Sequence, residues 1–152
     1  MGNLIDPQFV TVQQLVNIFN NAYIKVIDVK ENVLTIIIDK SEFFVLLTPS
    51  ECRIQIIDYF SIGSRTKLKE HEHSLFEFIN TLNRKYIGKY YLSYHENSEK
   101  EEFVFFQTDH ESSYTFGLNP AQLIADCHSL KQNIKDIGKQ FVDMLYEKGI
   151  YK

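Results

Sequence analysis

The chain has 152 residues, of which 44% are hydrophobic and 24% charged, and a formal net charge of -4. This size and composition fit one domain, residues 1–152 with a core over about 11–148, and exclude wholesale disorder. The 16 basic residues are scattered among 20 acidic ones, and no apolar segment approaches the about 20 residues that span a bilayer, so neither nucleic-acid binding nor membrane insertion is expected.

The first residues, Met1 to Gln8, lack the basic region and the apolar run of a secretory signal peptide. We therefore expect a cytoplasmic protein in which Cys52 and Cys127 stay reduced, separate and buried. A disulfide between the two cysteines is the alternative.

The first helix is predicted after Thr11, because its hydroxyl can accept a hydrogen bond from a free N–H group of the first turn. Gln14 can reach back to the cap, and Leu15 and Phe19 belong to an apolar stripe at helical spacing. The helix is expected to end near Asn21.

Four strand segments are predicted next, because β-branched and aromatic residues dominate them and short turns separate them. They are Ile24–Val29, Val33–Ile38, Phe43–Leu47 and Arg53–Phe60. Pro49 marks a turn, since it has no N–H group to donate to a sheet. Short strands joined by tight turns predict an antiparallel meander.

A polar loop is predicted over Ile62–Glu72. The second helix then begins at Ser74, where Glu77 completes a capping box, and it ends before Gly88. Two further strands, Tyr90–Tyr94 and Glu102–Gln107, flank a charged hairpin loop.

The last helix begins after Asn119, which caps it, and has Pro120 at its first position. It is expected to run to Lys148 unless Gly138 interrupts it. The order is helix, four strands, helix, two strands, long helix. Because the strands run together, this order predicts the α+β class, with an antiparallel sheet of meander plus hairpin packed with three helices.

No recognised catalytic or metal-binding motif is present. His71, Glu72 and His73 offer two imidazoles and a carboxylate, but zinc needs a further ligand, so we interpret them as a solvated loop. The Ser, His and acidic residues at 109–113 lack a nucleophile elbow, and no phosphate-binding glycine loop occurs. We expect no enzymatic activity, no metal and no cofactor.

A small-molecule or enzymatic site that forms only in three dimensions is the alternative. The convergence of His110, His128 or Asp58 in a deep pocket would favour it. Cys127 and His128 are adjacent, but neighbouring helix residues point about 100° apart, so we do not expect them to form a nucleophile pair.

The two late strands are rich in aromatic residues, and alternation sends half of them to each face of the sheet. If helices cover one face only, rings on the other face are exposed and can bind a partner; if helices cover both faces, the rings belong to the core. The candidate partner-binding residues are Tyr91, Tyr94 and Phe106.

The last helix has apolar residues at alternating spacings of four and three from Leu123 to Met144, the pattern of a coiled-coil seam. Such a helix can pair with a copy of itself or with a partner. Alternatively the stripe covers the sheet, because any core helix shows one. The candidate interface residues are Leu130, Ile134, Ile137 and Phe141.

The segment Phe78-Ile79-Asn80-Thr81-Leu82-Asn83 resembles the helix signature of the YbjN-like family, proposed sensory-transduction regulators with the fold of type III secretion chaperones. The aromatic strands that follow it, the helix with Leu123 and Phe141, and Cys52 after an apolar strand extend the resemblance from about Thr11 to Leu145. It implies a binding role, chaperone-like and often homodimeric, and it supplies no catalytic residue.

The sequence therefore predicts a non-enzymatic interaction module, a regulator, adaptor or chaperone-like protein that binds a protein partner of unknown identity or a second copy of itself. An acidic inhibitor or immunity-type protein is a further alternative, because the net charge is negative. It would present a concentrated acidic surface around Glu96, Glu99, Glu101 and Glu102.

Overall fold

The computed structural model describes residues 4–86 and 88–151, which form two compact units. Unit 1 is Met1–Asp58 with His110–Lys131, and unit 2 is Tyr59–Asp109 with Gln132–Lys152. The expectation of one domain over residues 1–152 stays a prediction.

The helices and strands follow the predicted order. The helices are α1 (Val12–Asn21), the one-turn α2 (Arg65–Leu68), α3 (Glu72–Lys85) and α4 (Pro120–Glu147). The strands are β1 (Lys25–Lys30), β2 (Val33–Ile38), β3 (Ser41–Thr48), β4 (Arg53–Ser64), β5 (Lys89–Glu96) and β6 (Glu102–Ser113). They form one antiparallel sheet in the order β1-β2-β3-β4-β6-β5, so the predicted α+β class is confirmed.

Unit 1 buries one face of β2, β3 and the first half of β4. The strand register places Val45 opposite Leu34 on one side and opposite Ile56 on the other, and all three side chains are fully buried. Helix α1 begins as predicted, because the Thr11 hydroxyl accepts a hydrogen bond from the Gln14 N–H at 3.2 Å.

Unit 2 has its own apolar core, built from α2, α3, β4, β5, β6 and the second half of α4. The buried residues are Ile62, Leu68, Leu75, Ile79, Leu82, Tyr90, Val104, Phe106, Ile137, Phe141 and Leu145. The Phe106 and Phe141 rings lie 5.0 Å apart. Among the described residues, no helix combines the length and apolarity needed to cross a bilayer.

The predicted loop over Ile62–Glu72 is wrong. Strand β4 continues to Ser64, α2 follows at once, and a 3-10 turn leads into α3 at Glu72, so Ser74 lies inside the helix and does not cap it. The physical reason is that Ile62 and Leu68 are both buried in the core of unit 2, and these contacts outweigh the polar composition of the segment.

The predicted start of α4 is correct. The Asn119 Oδ1 atom accepts hydrogen bonds from the N–H groups of Ala121 at 3.1 Å and Gln122 at 3.3 Å. The helix passes through Gly138 without a break and ends at Glu147, two residues before Gly149, which has a φ of 69°. Such a left-handed residue commonly terminates a helix.

Candidate functional site

Strands β5 and β6 present two different aromatic faces. Val104 and Phe106 point into the core of unit 2, so alternation turns Phe103 and Phe105 to the opposite, outer face. Both outer rings are half-buried. In β5, Tyr90 is buried, whereas Tyr91 is 36% exposed.

On this outer face the Phe105 ring contacts one ring on each neighbouring strand. The Phe105 ring of β6 lies 5.8 Å from the Tyr59 ring of β4 and 5.1 Å from the His95 ring of β5, with both pairs edge to face. Tyr59 is 45% exposed, and His95 is exposed as well. We call Tyr59, His95 and Phe105 the outer aromatic cluster.

Tyr91 lies farther along the same face. It is opposite Gln107 in the strand register, and the Gln107 side-chain amide donates a hydrogen bond to its hydroxyl. Burial, with a smaller contribution from the Asp109 carboxylate, raises the pKa of Tyr91. Tyr91 therefore presents a neutral phenol on the outer face.

The three predicted partner-binding residues do not share one face. Tyr91 is on the outer face, but Phe106 is 2% exposed inside the core and Tyr94 packs against the same core. The Tyr94 ring is also covered by the Arg65 guanidinium, 4.6 Å from the ring centroid. The set stays a prediction, of which Tyr91 is the member that lies on the outer face.

Sequence reasoning missed Tyr59 and His95 as site residues, and left Phe105 among the unassigned aromatic residues. Both faces of β5 and β6 contain rings, so composition could not distinguish outside from inside. The signal that could have separated the two faces is strand alternation: once Phe106 is known to be in the core, residues an odd number of positions away in the same strand face outward.

The predicted helix interface lies mostly within the protein core. Leu130, Ile137 and Phe141 are each at most 3% exposed, whereas Ile134 is half-buried. Ile137 and Phe141 pack in the core of unit 2, so much of the stripe on α4 is covered. Pairing of this helix with a partner stays a prediction.

Asn83 binds the backbone of β5 from the end of α3. Its Oδ1 atom accepts from the Tyr90 N–H at 2.9 Å, and its Nδ2 group donates to the Tyr90 carbonyl at 2.8 Å. Asn80, one turn earlier, is exposed. Asn83 therefore has a structural role, because it connects the end of α3 to β5.

Charges mix at the tip of the β5–β6 hairpin. Arg65 pairs with Glu102 at 2.8 Å and with Glu72 at 3.3 Å, and the bond to Glu102 is the main cause that raises the pKa of Arg65. An open groove of about 500 Å³ there is lined by these residues together with Thr66, Lys69, Glu96, Lys100 and Glu101. The presence of Arg65, Lys69 and Lys100 among these carboxylates does not favour the acidic-inhibitor alternative.

His110, Asp126 and Ser112 converge in unit 1, yet not in a catalytic arrangement. The Ser112 hydroxyl donates to the Asp126 carboxylate at 3.2 Å, and the His110 Nε2 atom lies 3.6 Å from the same oxygen. A serine nucleophile needs a base that takes its proton. Here the hydroxyl bonds to the carboxylate instead of the imidazole, so this geometry does not activate the serine.

The cysteines offer no reactive pair either. Both are free, with Cys127 buried and Cys52 half-buried rather than buried as expected. Burial, followed by the Asp126 charge, raises the pKa of Cys127 to about 12, so the thiol is protonated at neutral pH. His128 beside it is exposed.

Two residues of the His71-Glu72-His73 segment contact neighbouring side chains. Glu72 pairs with Arg65, and the His73 Nε2 atom lies 3.4 Å from Glu77. Within residues 4–86 and 88–151, no group of three or more histidine, cysteine or acidic side chains is placed to hold a metal ion.

Comparison with solved structures identifies similar folds. YbjN from E. coli, a proposed transcription regulator, aligns over 89% of this chain and 91% of its own, with a TM-score of 0.63 and 9% sequence identity. An uncharacterized protein from Methanothermobacter thermautotrophicus aligns over 90% of this chain and 96% of its own, with a TM-score of 0.57 and 12% identity.

These likenesses confirm the YbjN-like fold predicted from the sequence. Identities of this size show the fold alone. No family model matches the chain, and no curated protein matches it in sequence.

Proposed function

We propose that this chain, which has the fold of YbjN, is a non-enzymatic regulator or adaptor that binds a protein partner through the outer aromatic cluster of unit 2. The observation that carries the proposal is the Phe105 ring, which Tyr59 and His95 flank on the sheet face opposite the core. Phe105 contacts both flanking rings, and Tyr59 and His95 remain exposed.

Aromatic residues are suited to a protein interface for two reasons. They are enriched at the centres of such interfaces, where they bury much area per side chain. Rings that are already packed against a neighbouring ring lose little side-chain freedom when a partner docks, which lowers the entropic cost of binding. Tyr59 and His95 add polar groups that can select the partner.

The charges on the same face favour a protein over a single-stranded nucleic acid. Bases also stack on exposed rings, but nucleic-acid binding needs a basic groove along the phosphates. The charged residues beyond Tyr91 and Gln107 are Lys89 and Asp109, which are cross-strand partners of opposite sign. This pair adds no net positive charge to its end of the face.

Site-specific photo-crosslinking in the native host tests the proposal. Benzoylphenylalanine replaces Tyr59 in one variant and Phe116 in the control, because Phe116 is a 95% exposed ring in unit 1. We expect one discrete adduct from position 59 that position 116 does not give. Its mass separates a second copy of this chain from a different protein.

Phe105→Ser, combined with the probe at position 59, removes the central ring and should abolish that adduct while the protein remains folded by circular dichroism. Identical adducts from positions 59 and 116 would contradict the proposal. So would an adduct that survives Phe105→Ser.

A further inference from the structure

A groove of about 570 Å³ lies between α1 and the first turns of α4 in unit 1. Its apolar lining consists of Ile5, Ile18, Ala22, Pro120, Ala121 and Ile124. The remaining lining residues are Gln14, Asn17 and Asn21, which we call the carboxamide row. None of these nine residues is charged, although 24% of the chain is.

The carboxamide row is long enough to contact an extended peptide. Gln14, Asn17 and Asn21 lie on one side of α1, because residues three and four apart share a helix face. From Gln14 to Asn21 the helix rises about 10.5 Å. In an extended chain the N–H and C=O groups that face one side recur at every second residue, about 6.7 Å apart, so the row is long enough to bond two such residues.

The chemistry of the row also matches a peptide backbone. A carboxamide offers two donors and an acceptor, the complement of one N–H and one C=O group. Within the described part of the chain, the side chains of Gln14 and Asn21 have no hydrogen-bond partner. Asn17 accepts from the Gln13 side chain at 3.2 Å, which leaves its NH2 group able to donate outward.

Unit 2 contains the same interaction within the chain. There a carboxamide on a helix, Asn83, bonds both the N–H and the C=O of Tyr90 in an extended strand. An exposed carboxamide on α1 can form that pair of bonds with a strand from another molecule.

We propose that this groove binds an extended, uncharged peptide segment of a partner protein. The main chain of the peptide bonds to the carboxamide row, and its apolar side chains rest against Ile18, Ala121 and Ile124. This is a second binding surface, in the unit that does not contain the outer aromatic cluster. Its test uses isolated peptides, so it can fail while the proposed function stands, and the reverse also holds.

The groove itself selects an extended and uncharged occupant. A helical peptide already satisfies its main-chain groups internally and gains little from carboxamides. A charged side chain would lose water in the groove without meeting an opposite charge, which is unfavourable. An extended segment with small or apolar side chains avoids both costs.

NMR titration of the ¹⁵N-labelled full chain tests the proposal. The probe is a pooled library of uncharged heptapeptides with blocked termini, taken to millimolar concentration. We expect the side-chain NH2 signals of Gln14, Asn17 and Asn21 to shift. The same library, N-methylated at alternate residues, lacks half of the main-chain donors and should shift these signals far less.

Variants identify the groups responsible. Asn21→Leu and Gln14→Met each keep the approximate shape but remove the hydrogen bonds, and each should weaken apparent binding about fivefold. Ala121→Trp should fill the groove and abolish binding. Asn20→Leu, on the exposed side of α1 outside the groove, is the matched control and should leave the affinity unchanged.

Three outcomes would overturn the inference. The first is that the library at millimolar concentration does not change the chemical shifts of the carboxamide NH2 signals. The second is that the N-methylated library shifts them equally. The third is that Asn20→Leu weakens binding as much as Asn21→Leu, since a general effect on α1 would then explain the loss.

Discussion

Asn83 shows how one side chain fixes the geometry of a strand. It is on the surface of α3, yet both ends of its amide bond the backbone of Tyr90, and Tyr90 is buried in the core of unit 2. The helix and the strand are thereby held in register. The sequence pointed to both Asn80 and Asn83, but only the position of β5 beside the end of α3 distinguishes the two.

Replacing Asn83 should therefore destabilise the protein. Asn83→Leu leaves the N–H and C=O groups of Tyr90 without these partners, so the free energy of unfolding should fall by about 2 kcal/mol. Urea denaturation measures this change. Asn80→Leu, one turn earlier and exposed, is the control and should change it by less than about 0.5 kcal/mol; equal losses would argue against the role assigned to Asn83.

At the scale of single elements, the residue range of a strand or helix was easier to predict than which face of a strand is buried. The ranges of β2 and α1 agree closely with the expected ones, because caps and β-branched runs are local signals. In β5 and β6, rings occur at both odd and even positions. Which set is covered depends on where α3 and α4 pack, and that is not a local property.

Helix α4 contains a glycine that the fold does not require. A Cβ atom added at Gly138 would meet nothing within 4 Å, and the position is helical. Gly138→Ala should raise the free energy of unfolding by about 0.5–1 kcal/mol, because glycine loses more backbone entropy in a helix. Thermal unfolding measures the gain.

Gly149→Ala provides the contrasting variant. Its φ of 69° is strained for any residue with a Cβ atom, so this substitution should lower stability by about 1 kcal/mol. A gain in stability at Gly149, or a loss at Gly138, would contradict the backbone conformations assigned to these two glycines.

For the whole molecule, the order of elements and the fold could be predicted because each segment has its own signals. The segment from Ile62 to Glu72 was mispredicted because its local composition is polar. Its two buried anchors, Ile62 and Leu68, are recognisable only once the rest of unit 2 is in place. The outer aromatic cluster could not be predicted for the same reason, since Tyr59, His95 and Phe105 lie on three different strands and come together only in the folded sheet.

The stability of the whole protein should fall at alkaline pH, partly through Tyr90. Burial, then the neighbouring Tyr86, raises the pKa of Tyr90 from 10.0 to about 12. Above pH 10 the unfolded phenol loses its proton while the folded one keeps it. The stabilisation is therefore complete below pH 10 and is lost as pH rises towards about 12.

Urea denaturation at pH 8 and at pH 11 measures the effect. Tyr90→Phe has no phenol to ionise, so its stability should decline less between the two pH values than that of the unaltered protein. Tyr23→Phe is the control, because Tyr23 is 99% exposed, and it should decline as the unaltered protein does. Parallel declines for all three proteins would contradict the assignment to Tyr90.

The bonds from Asn83 to Tyr90 also bear on how the sheet resists pairing with other chains. Strand β5 ends the sheet, and an unprotected end strand can recruit strands from other chains and begin aggregation. With both main-chain groups of Tyr90 occupied, a foreign strand cannot pair there without displacing the Asn83 amide. Loss of that amide would therefore both lower stability and expose the end strand to pairing with strands of other molecules.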